Sequence, residues 1–137
     1  MATPTRDSIA TAMRDIDICM MTTRSPNGGM TSRPMSNNAE VEWTGDNWFF
    51  SRPDTRKMRE IEAEPEVTLD FEGEGLWITV RGTARVHTDE ALMREHWTPD
   101  IEKWFGGELD ADKLRLIQVE AREAEAYGRE EGIVAMG

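Results

Sequence analysis

Three basic residues at the start of a predicted helix are the side chains best placed for chemistry. Asp54 and Thr55 precede the helix, and either side chain can accept from the free N–H groups of its first turn. The first turns then carry Arg56, Lys57 and Arg59. Cations are disfavoured at this end because the helix dipole is already positive there, but a bound anion reverses that preference. The pattern predicts a phosphate-binding site.

The same residues also fit an ordinary solvated helix. Arg and Lys are good helix formers, and Glu60, Glu62 and Glu64 can neutralise them along an exposed face. The concentration of charge favours the phosphate site. With Arg52, the helix start holds four of the 16 basic residues in a 137-residue chain of formal charge -11.

Other catalytic chemistries have weaker signals in the sequence. His87 and His96 lie in different predicted elements without metal-ligand spacing, so each is predicted to be a surface or partly packed residue and no metal site is expected. No serine lies in a nucleophile elbow, and with 27 acidic residues a carboxylate pair is not informative. A phosphate anchor among aromatic residues, without an acid–base set, indicates that a cofactor carries the reactivity.

Composition narrows the class of protein. A chain of this length is predicted to form one domain, and its acidity argues against nucleic acid or an anionic membrane as the main partner. The N-terminal residues 1–14 lack an apolar signal-peptide core, and no run is long enough to span a membrane, which predicts a cytoplasmic protein. The single Cys19 excludes a disulfide within one chain and is predicted to be a small buried hydrophobe.

Hydrophobic periodicity and turn residues predict a strand-rich chain. Four helices are predicted, over residues 5–16, 56–63, 89–97 and 100–105. Strands are predicted at residues 18–23, 30–35, 41–43, 48–51, 67–71, 76–86, 114–119 and 124–127. Pro34 predicts an edge strand or a break in pairing, and Gly82 a bulge or a close approach. We therefore expect a small, mostly antiparallel β-barrel with flanking helices, followed by a flexible tail over 128–137.

An ordered set of motifs resembles the FMN-binding split-barrel family, which is also called pyridoxamine 5'-phosphate oxidase-like. The set comprises Arg33-Pro34-Met35, Trp48-Phe49-Phe50, Thr55 to Ile61, Pro65-Glu66-Val67 and Val80 to Val86. Trp97-Thr98-Pro99, Trp104-Phe105 and the later strand at 114–119 are similar to the general stress protein branch. The resemblance implies an antiparallel split β-barrel domain over residues 7–127.

The same resemblance implies a homodimer with two FMN sites at the subunit interface. The residues implied to hold the FMN phosphate are Arg33, Arg56 and Lys57, with Thr55 donating from the helix start. The backbone implied to edge the isoalloxazine ring is that of Pro34, Met35, Phe50 and Ser51. Trp97 and Trp104 are implied to form a wall near the flavin, although tryptophan at helix ends is as often part of a core.

The function implied is that of an FMN-dependent oxidoreductase of the general stress protein type, acting on an unknown small molecule, with no catalytic residue assigned. Two alternatives stay open: a reductase that binds the deazaflavin F420, and a non-catalytic flavin-binding module. The chain departs from the branch at Tyr127, where Trp is frequent, and at Gly106-Gly107, where a proline usually follows Phe105. It also lacks the C-terminal Arg motif of true pyridoxamine-phosphate oxidases, so synthesis of pyridoxal phosphate is not expected.

Overall fold

Seven antiparallel strands form one sheet in the computed structural model, which describes residues 2–37 and 43–136. The strands are β1 (Ile18–Arg24), β2 (Met30–Ser36), β3 (Asp46–Ser51), β4 (Glu66–Glu72), β5 (Leu76–His87), β6 (Arg115–Gly128) and β7 (Gly132–Ala135). The helices are α1 (Arg6–Met13), α2 (Arg56–Ala63), α3 (Glu90–His96) and α4 (Pro99–Phe105), with a 3₁₀ turn at Ala111–Lys113. The mostly antiparallel fold with flanking helices is confirmed.

The sheet is open rather than closed. Its order is β2-β1-β4-β5-β6-β3, with β7 also paired to β6, so β2 and β3 are its two ends and are not paired with each other within the described residues. The edge position predicted for β2 from Pro34 is confirmed, because β1 is the strand that pairs with it. An edge strand tolerates proline since one side of its backbone needs no ladder hydrogen bonds.

The C-terminal part of the chain differs from its prediction. Residues 114–119 and 124–127 were predicted as two strands, but they belong to one strand of 14 residues, β6. The polar residues Glu120, Arg122 and Glu123 do not end the strand, which continues through them and buries Ala121 and Ala124. Residues 128–137 were predicted as a flexible tail, and the structure places strand β7 there. The strand predicted near 41–43 lies largely outside the described residues, and Trp43 is not in a strand.

Two apolar clusters pack on opposite sides of β3, because neighbouring residues of a strand point to opposite faces. Phe49 belongs to the principal core, together with the inner faces of β1, β4, β5 and β6 and with helix α1. Phe50 belongs to a smaller cluster beneath α3 and α4, where Met93 and Ile101 are buried, and Trp48 packs against that cluster. Strand β3 thus connects the principal core to the two helices.

A register shift interrupts the pairing of β5 with β6 at Gly82. Arg81 pairs with Glu123 and Gly82 with Ala121, so Arg122 is an extra residue on β6. A Cβ atom on Gly82 would lie 2.5 Å from the carbonyl oxygen of Glu120. The predicted bulge and the predicted close approach at Gly82 are both confirmed.

Cys19 is buried, with 1% of its surface exposed, as predicted for a small hydrophobe. Burial raises the pKa of its thiol to about 12, and the charge of Asp70 adds to the shift. The thiol therefore stays protonated and unreactive at neutral pH. Across residues 2–37 and 43–136, none of the helices has the length and apolar composition needed to cross a membrane.

Candidate functional site

One cavity of about 260 Å³ collects most of the predicted site residues. It lies between the end of β2, strand β3, the start of α2, and α4. The predicted residues that line it are Arg33, Pro34, Met35, Phe50, Ser51, Thr55, Lys57 and Trp104. Arg56 and Trp97 lie outside it. The FMN contacts assigned to all ten residues stay predictions.

Helix α2 begins as its sequence predicts. Thr55 is extended, and its side-chain oxygen accepts from the backbone N–H of Met58 at 3.3 Å, so Thr55 rather than Asp54 is the cap. The first turn holds basic residues and no acid. Thr55 and Lys57, two residues apart at the start of this helix, both line the cavity.

Lys57 is a partly buried cation on the cavity wall. Burial lowers the pKa of its ammonium group, and the positive charge of Arg33 lowers that pKa further. Within the described residues, no hydrogen bond or ion pair compensates the ammonium group. Burying a charge without a partner is unfavourable, and a second cation nearby adds to the cost, so this position is suited to an anionic ligand.

Arg33 is a second basic residue on the cavity wall, where exposed Arg52 is the third, and 19% of the Arg33 side chain is exposed. Its Nη1 donates to the carbonyl oxygen of Met21 at 3.2 Å and to the hydroxyl of Thr23 at 2.7 Å, and its Nη2 contacts Glu60 at 3.3 Å. Burial lowers the pKa of Arg33, whereas the charge of Glu60 opposes that shift. Because a guanidinium has five N–H donors, two remain for a ligand after these three bonds.

Glu60 is buried and does not lie on an exposed face of α2, as the ordinary solvated helix would require. It is 3% exposed, accepts from the Thr23 hydroxyl at 2.8 Å, and pairs with Arg33 and Arg56 at 3.3 Å each. The Thr23 hydrogen bond is the main reason that its pKa lies below the usual range, and the two arginines lower that pKa further while burial opposes them. The helix buries Met58 and Ile61 as well, so Glu60 lies on the packed face.

Arg56 and Trp97 have neighbours other than the cavity. Arg56 is 62% exposed, its Nε contacts Glu60, and it borders a separate cleft beside the β1–β2 turn. Trp97 packs in the smaller apolar cluster, with its ring edge-on to Phe50 at a centroid distance of 5.0 Å and stacked on Phe105 at 6.0 Å. The core alternative for Trp97 therefore fits its packing, whereas Trp104 is 64% exposed at the cavity rim.

Trp48 is a cavity residue for which the sequence analysis assigned no role. The alternation of β3 was the available signal, because Trp48 must share a face with Phe50. Its ring stacks on His96 with a centroid distance of 3.9 Å and an interplanar angle of 16°. His96 is thus partly packed, as predicted. Burial lowers its pKa, His87 lowers it further, and the carboxylates of Glu95 and Asp46 oppose the shift.

Acidification is expected to destabilise the protein through His96. Its pKa in the folded state lies below the ordinary value of 6.5, so the unfolded chain takes up the proton first. The contribution of neutral His96 is therefore present above about pH 6.5 and is lost as the pH falls towards the lower folded pKa. His96→Phe keeps a ring against Trp48 and should lose less unfolding free energy than the wild type between pH 7.5 and 5.5 in urea titrations. Equal losses in the two proteins would contradict this role.

Comparison with known protein families identifies the family of this chain. A family model described as pyridoxamine 5'-phosphate oxidase like matches residues 5–137. The chain belongs to that family. The match includes the elements that line the cavity, so the pyridoxamine 5'-phosphate oxidase-like resemblance predicted from the motifs is confirmed.

The general stress protein branch is also supported by sequence. The chain is 32% identical over 72 residues to general stress protein 26 of Bacillus subtilis, a match covering 49% of this chain and 51% of the relative. The chain spans about half the length of the curated relatives that it matches.

Solved structures of family members share the fold. A Clostridium acetobutylicum protein related to general stress protein 26 aligns with a TM-score of 0.79 at 16% identity, covering 92% of this chain and 90% of the other. A pyridoxamine 5'-phosphate oxidase-related, FMN-binding protein of Nostoc punctiforme aligns with a TM-score of 0.72 at 15% identity, covering 92% and 84%. At these identities the likeness establishes the split-barrel fold alone.

Proposed function

We propose that the chain binds FMN in the cavity and acts as a flavin-dependent oxidoreductase on a small molecule. The observation that carries the proposal is Lys57, a partly buried ammonium group that no other described residue compensates and that lies close enough to Arg33 to feel its charge. A phosphate group would satisfy both cations, and Thr55 at the start of α2 would add a hydroxyl.

The remainder of the cavity fits a flavin ring. Beyond its three basic residues, Arg33, Arg52 and Lys57, the cavity wall consists largely of apolar and aromatic side chains. These include Phe50, Ile101 and Trp104. One cationic end and one aromatic end match a ligand that carries a phosphate at one end and a planar ring at the other. The likeness in fold to the FMN-binding protein of Nostoc punctiforme supports this proposal.

A second copy of the chain is proposed to complete the site. The cavity of about 260 Å³ is smaller than typical ligand pockets of roughly 300–1,000 Å³, so a flavin ring would need a further wall. Exposed Ile18 and Met20 lie on β1, and Met20 pairs with Pro34, which lines the cavity. An apolar strip that reaches the cavity edge supports a homodimer with the cofactor at the interface.

The chain itself would bind and shield the cofactor rather than transfer protons. FMN, when bound, supplies hydride and electron transfer at its ring. Arg33 and Lys57 would fix the phosphate and hence the position of the ring, while Trp48, Phe50 and Trp104 would exclude water from one side. No side chain of the described cavity is assigned as a general acid or base.

Titration of dialysed protein with FMN and, in parallel, with riboflavin tests the proposal. Flavin absorbance and fluorescence report binding, and sedimentation of the same samples reports the subunit number. We expect FMN to bind at least tenfold more tightly than riboflavin, because a charged hydrogen bond contributes about 1.5–3 kcal/mol. Equal affinities would exclude the phosphate anchor. Tight binding of F420 with weak FMN binding would favour the deazaflavin alternative, and FMN binding without reduction by any nicotinamide donor would favour a non-catalytic module.

A further inference from the structure

A closed set of hydrogen bonds lies behind the cationic end of the cavity. The hydroxyl of Thr23 donates to Oε1 of Glu60 at 2.8 Å and accepts from Nη1 of Arg33 at 2.7 Å. Arg33 closes the set through Nη2, which contacts the same Oε1 of Glu60 at 3.3 Å. Thr23 is completely buried and Glu60 nearly so, yet neither lines the cavity.

Burial of these groups is tolerated because each has a partner. A buried hydroxyl or carboxylate is costly unless it is hydrogen-bonded, and among the described residues no buried side-chain nitrogen or oxygen lacks a partner. Arg56 contacts the second oxygen of Glu60, so the carboxylate has a cation on each side and stays ionised. The Thr23 hydroxyl is thereby fixed as a donor to Glu60 and an acceptor from Arg33.

Arg33 needs such support because of its place in the sheet. It lies on the edge strand β2, opposite Met21 of β1, and its side chain extends along β1 to reach Thr23. An unsupported arginine samples many rotamers, and ordering it on binding costs side-chain entropy. Bonds to Met21, Thr23 and Glu60 remove that freedom before any ligand arrives.

We propose that Thr23 and Glu60 are positioning residues that hold the Arg33 guanidinium against the cavity and so set its preference for a phosphate-bearing ligand. The inference rests on the proposed function for the ligand, but the ordering of Arg33 is a property of the ligand-free chain. Neither residue touches the ligand. Preorganisation of Arg33 raises affinity because the ordering cost is not incurred on binding.

Thr23→Val is the decisive variant. It removes the hydroxyl at nearly constant volume and replaces no charged side chain. We expect FMN affinity to fall roughly three- to tenfold while riboflavin affinity stays unchanged, because one hydrogen bond that orders Arg33 is lost. Thr23→Ser restores a hydroxyl and should recover most of the FMN affinity.

Thr22→Val is the matched control. Thr22 is the preceding residue of β1, and its hydroxyl shares a hydrogen bond of 2.6 Å with Ser32 away from Arg33. The Thr22→Val variant should leave the affinities for FMN and riboflavin unchanged. In an Arg33→Gln background, Thr23→Val should have no further effect on FMN affinity, since Thr23 acts through Arg33. Equal losses for FMN and riboflavin, an unchanged FMN affinity, or a full effect in the Arg33→Gln background would each overturn the proposal.

NMR of the Arg33 guanidinium separates this proposal from the proposed function. In the ligand-free wild type we expect resolved Nη proton signals, because the hydrogen bonds restrict rotation, and averaged signals in Thr23→Val. Averaged signals already in the wild type, or identical spectra for the two proteins, would overturn the positioning role. A wild type that binds neither flavin would instead remove the proposed function, and the NMR result would still decide whether Thr23 orders Arg33.

Discussion

FMN binding should weaken at least tenfold when Lys57 is replaced by glutamine, while riboflavin binding stays unchanged. The ammonium group of Lys57 lines the cationic end of the cavity and has no compensating partner among the described residues, so a bound phosphate would be its main contact. Loss of one charged hydrogen bond costs about 1.5–3 kcal/mol, which corresponds to roughly 10- to 150-fold in affinity. Parallel titrations of the variant with FMN and riboflavin measure the ratio.

The same substitution should affect the ligand-free protein in the opposite direction. Burial and Arg33 both disfavour the charged form of Lys57, so a neutral glutamine should leave thermal stability unchanged or raise it. If Lys57→Gln lowers FMN affinity without lowering thermal stability, the role of Lys57 is to bind the ligand rather than to stabilise the fold. Lys113→Gln is the matched control, because Lys113 is 78% exposed and lies outside the cavity. Similar FMN affinities for the two variants would exclude Lys57 as the phosphate contact.

Gly82→Ala should lower the free energy of unfolding by about 1–3 kcal/mol, the usual cost of forcing extra atoms into a packed region. The added methyl group would lie 2.5 Å from the backbone oxygen of Glu120 and 3.1 Å from a methyl group of Val119. The oxygen is part of the β6 backbone and cannot rotate away, so the bulge between β5 and β6 must shift. Urea unfolding of wild type and variant measures the difference.

Gly107→Ala is the control for this effect. Gly107 follows α4, and a Cβ atom placed on it would have no neighbour within 4 Å among the described residues. The substitution should change the unfolding free energy by less than about 0.5 kcal/mol. If Gly82→Ala were equally harmless, the close approach of the two strands would not be a constraint on this fold.

The sequence signals for the residues that line the cavity are local. The Thr55 cap, the cations that follow it and the aromatic strand Trp48–Phe50 are all encoded within a few residues of each other, and the structure places most of them on one cavity. Pro34 and Gly82 were informative for the same reason, because their backbone constraints do not depend on distant parts of the chain.

The sequence did not predict which of the charged residues line the cavity and which pair elsewhere. Arg56 and Lys57 are adjacent, but a helix turns by about 100° per residue, so only one of them lines the cavity. The burial of Glu60 depends on Thr23 and Arg33, which come from two strands far from it in the sequence. Helical periodicity identifies a face but not the groups that another strand brings to it.

The pairing register of β3 with β6 determines both the packing of the core and the position of the aromatic residues at the cavity. Phe49 packs in the principal core, whereas Trp48 and Phe50 pack with the smaller cluster beneath α3 and α4. All three line the cavity and pair with β6 in a single ladder. A slip of one residue would expel Phe49 from the principal core and turn Trp48 and Phe50 towards it, so mispaired forms are penalised on both faces of β3. The pairing register that folds the core therefore also places Trp48 and Phe50 at the cavity before any ligand binds.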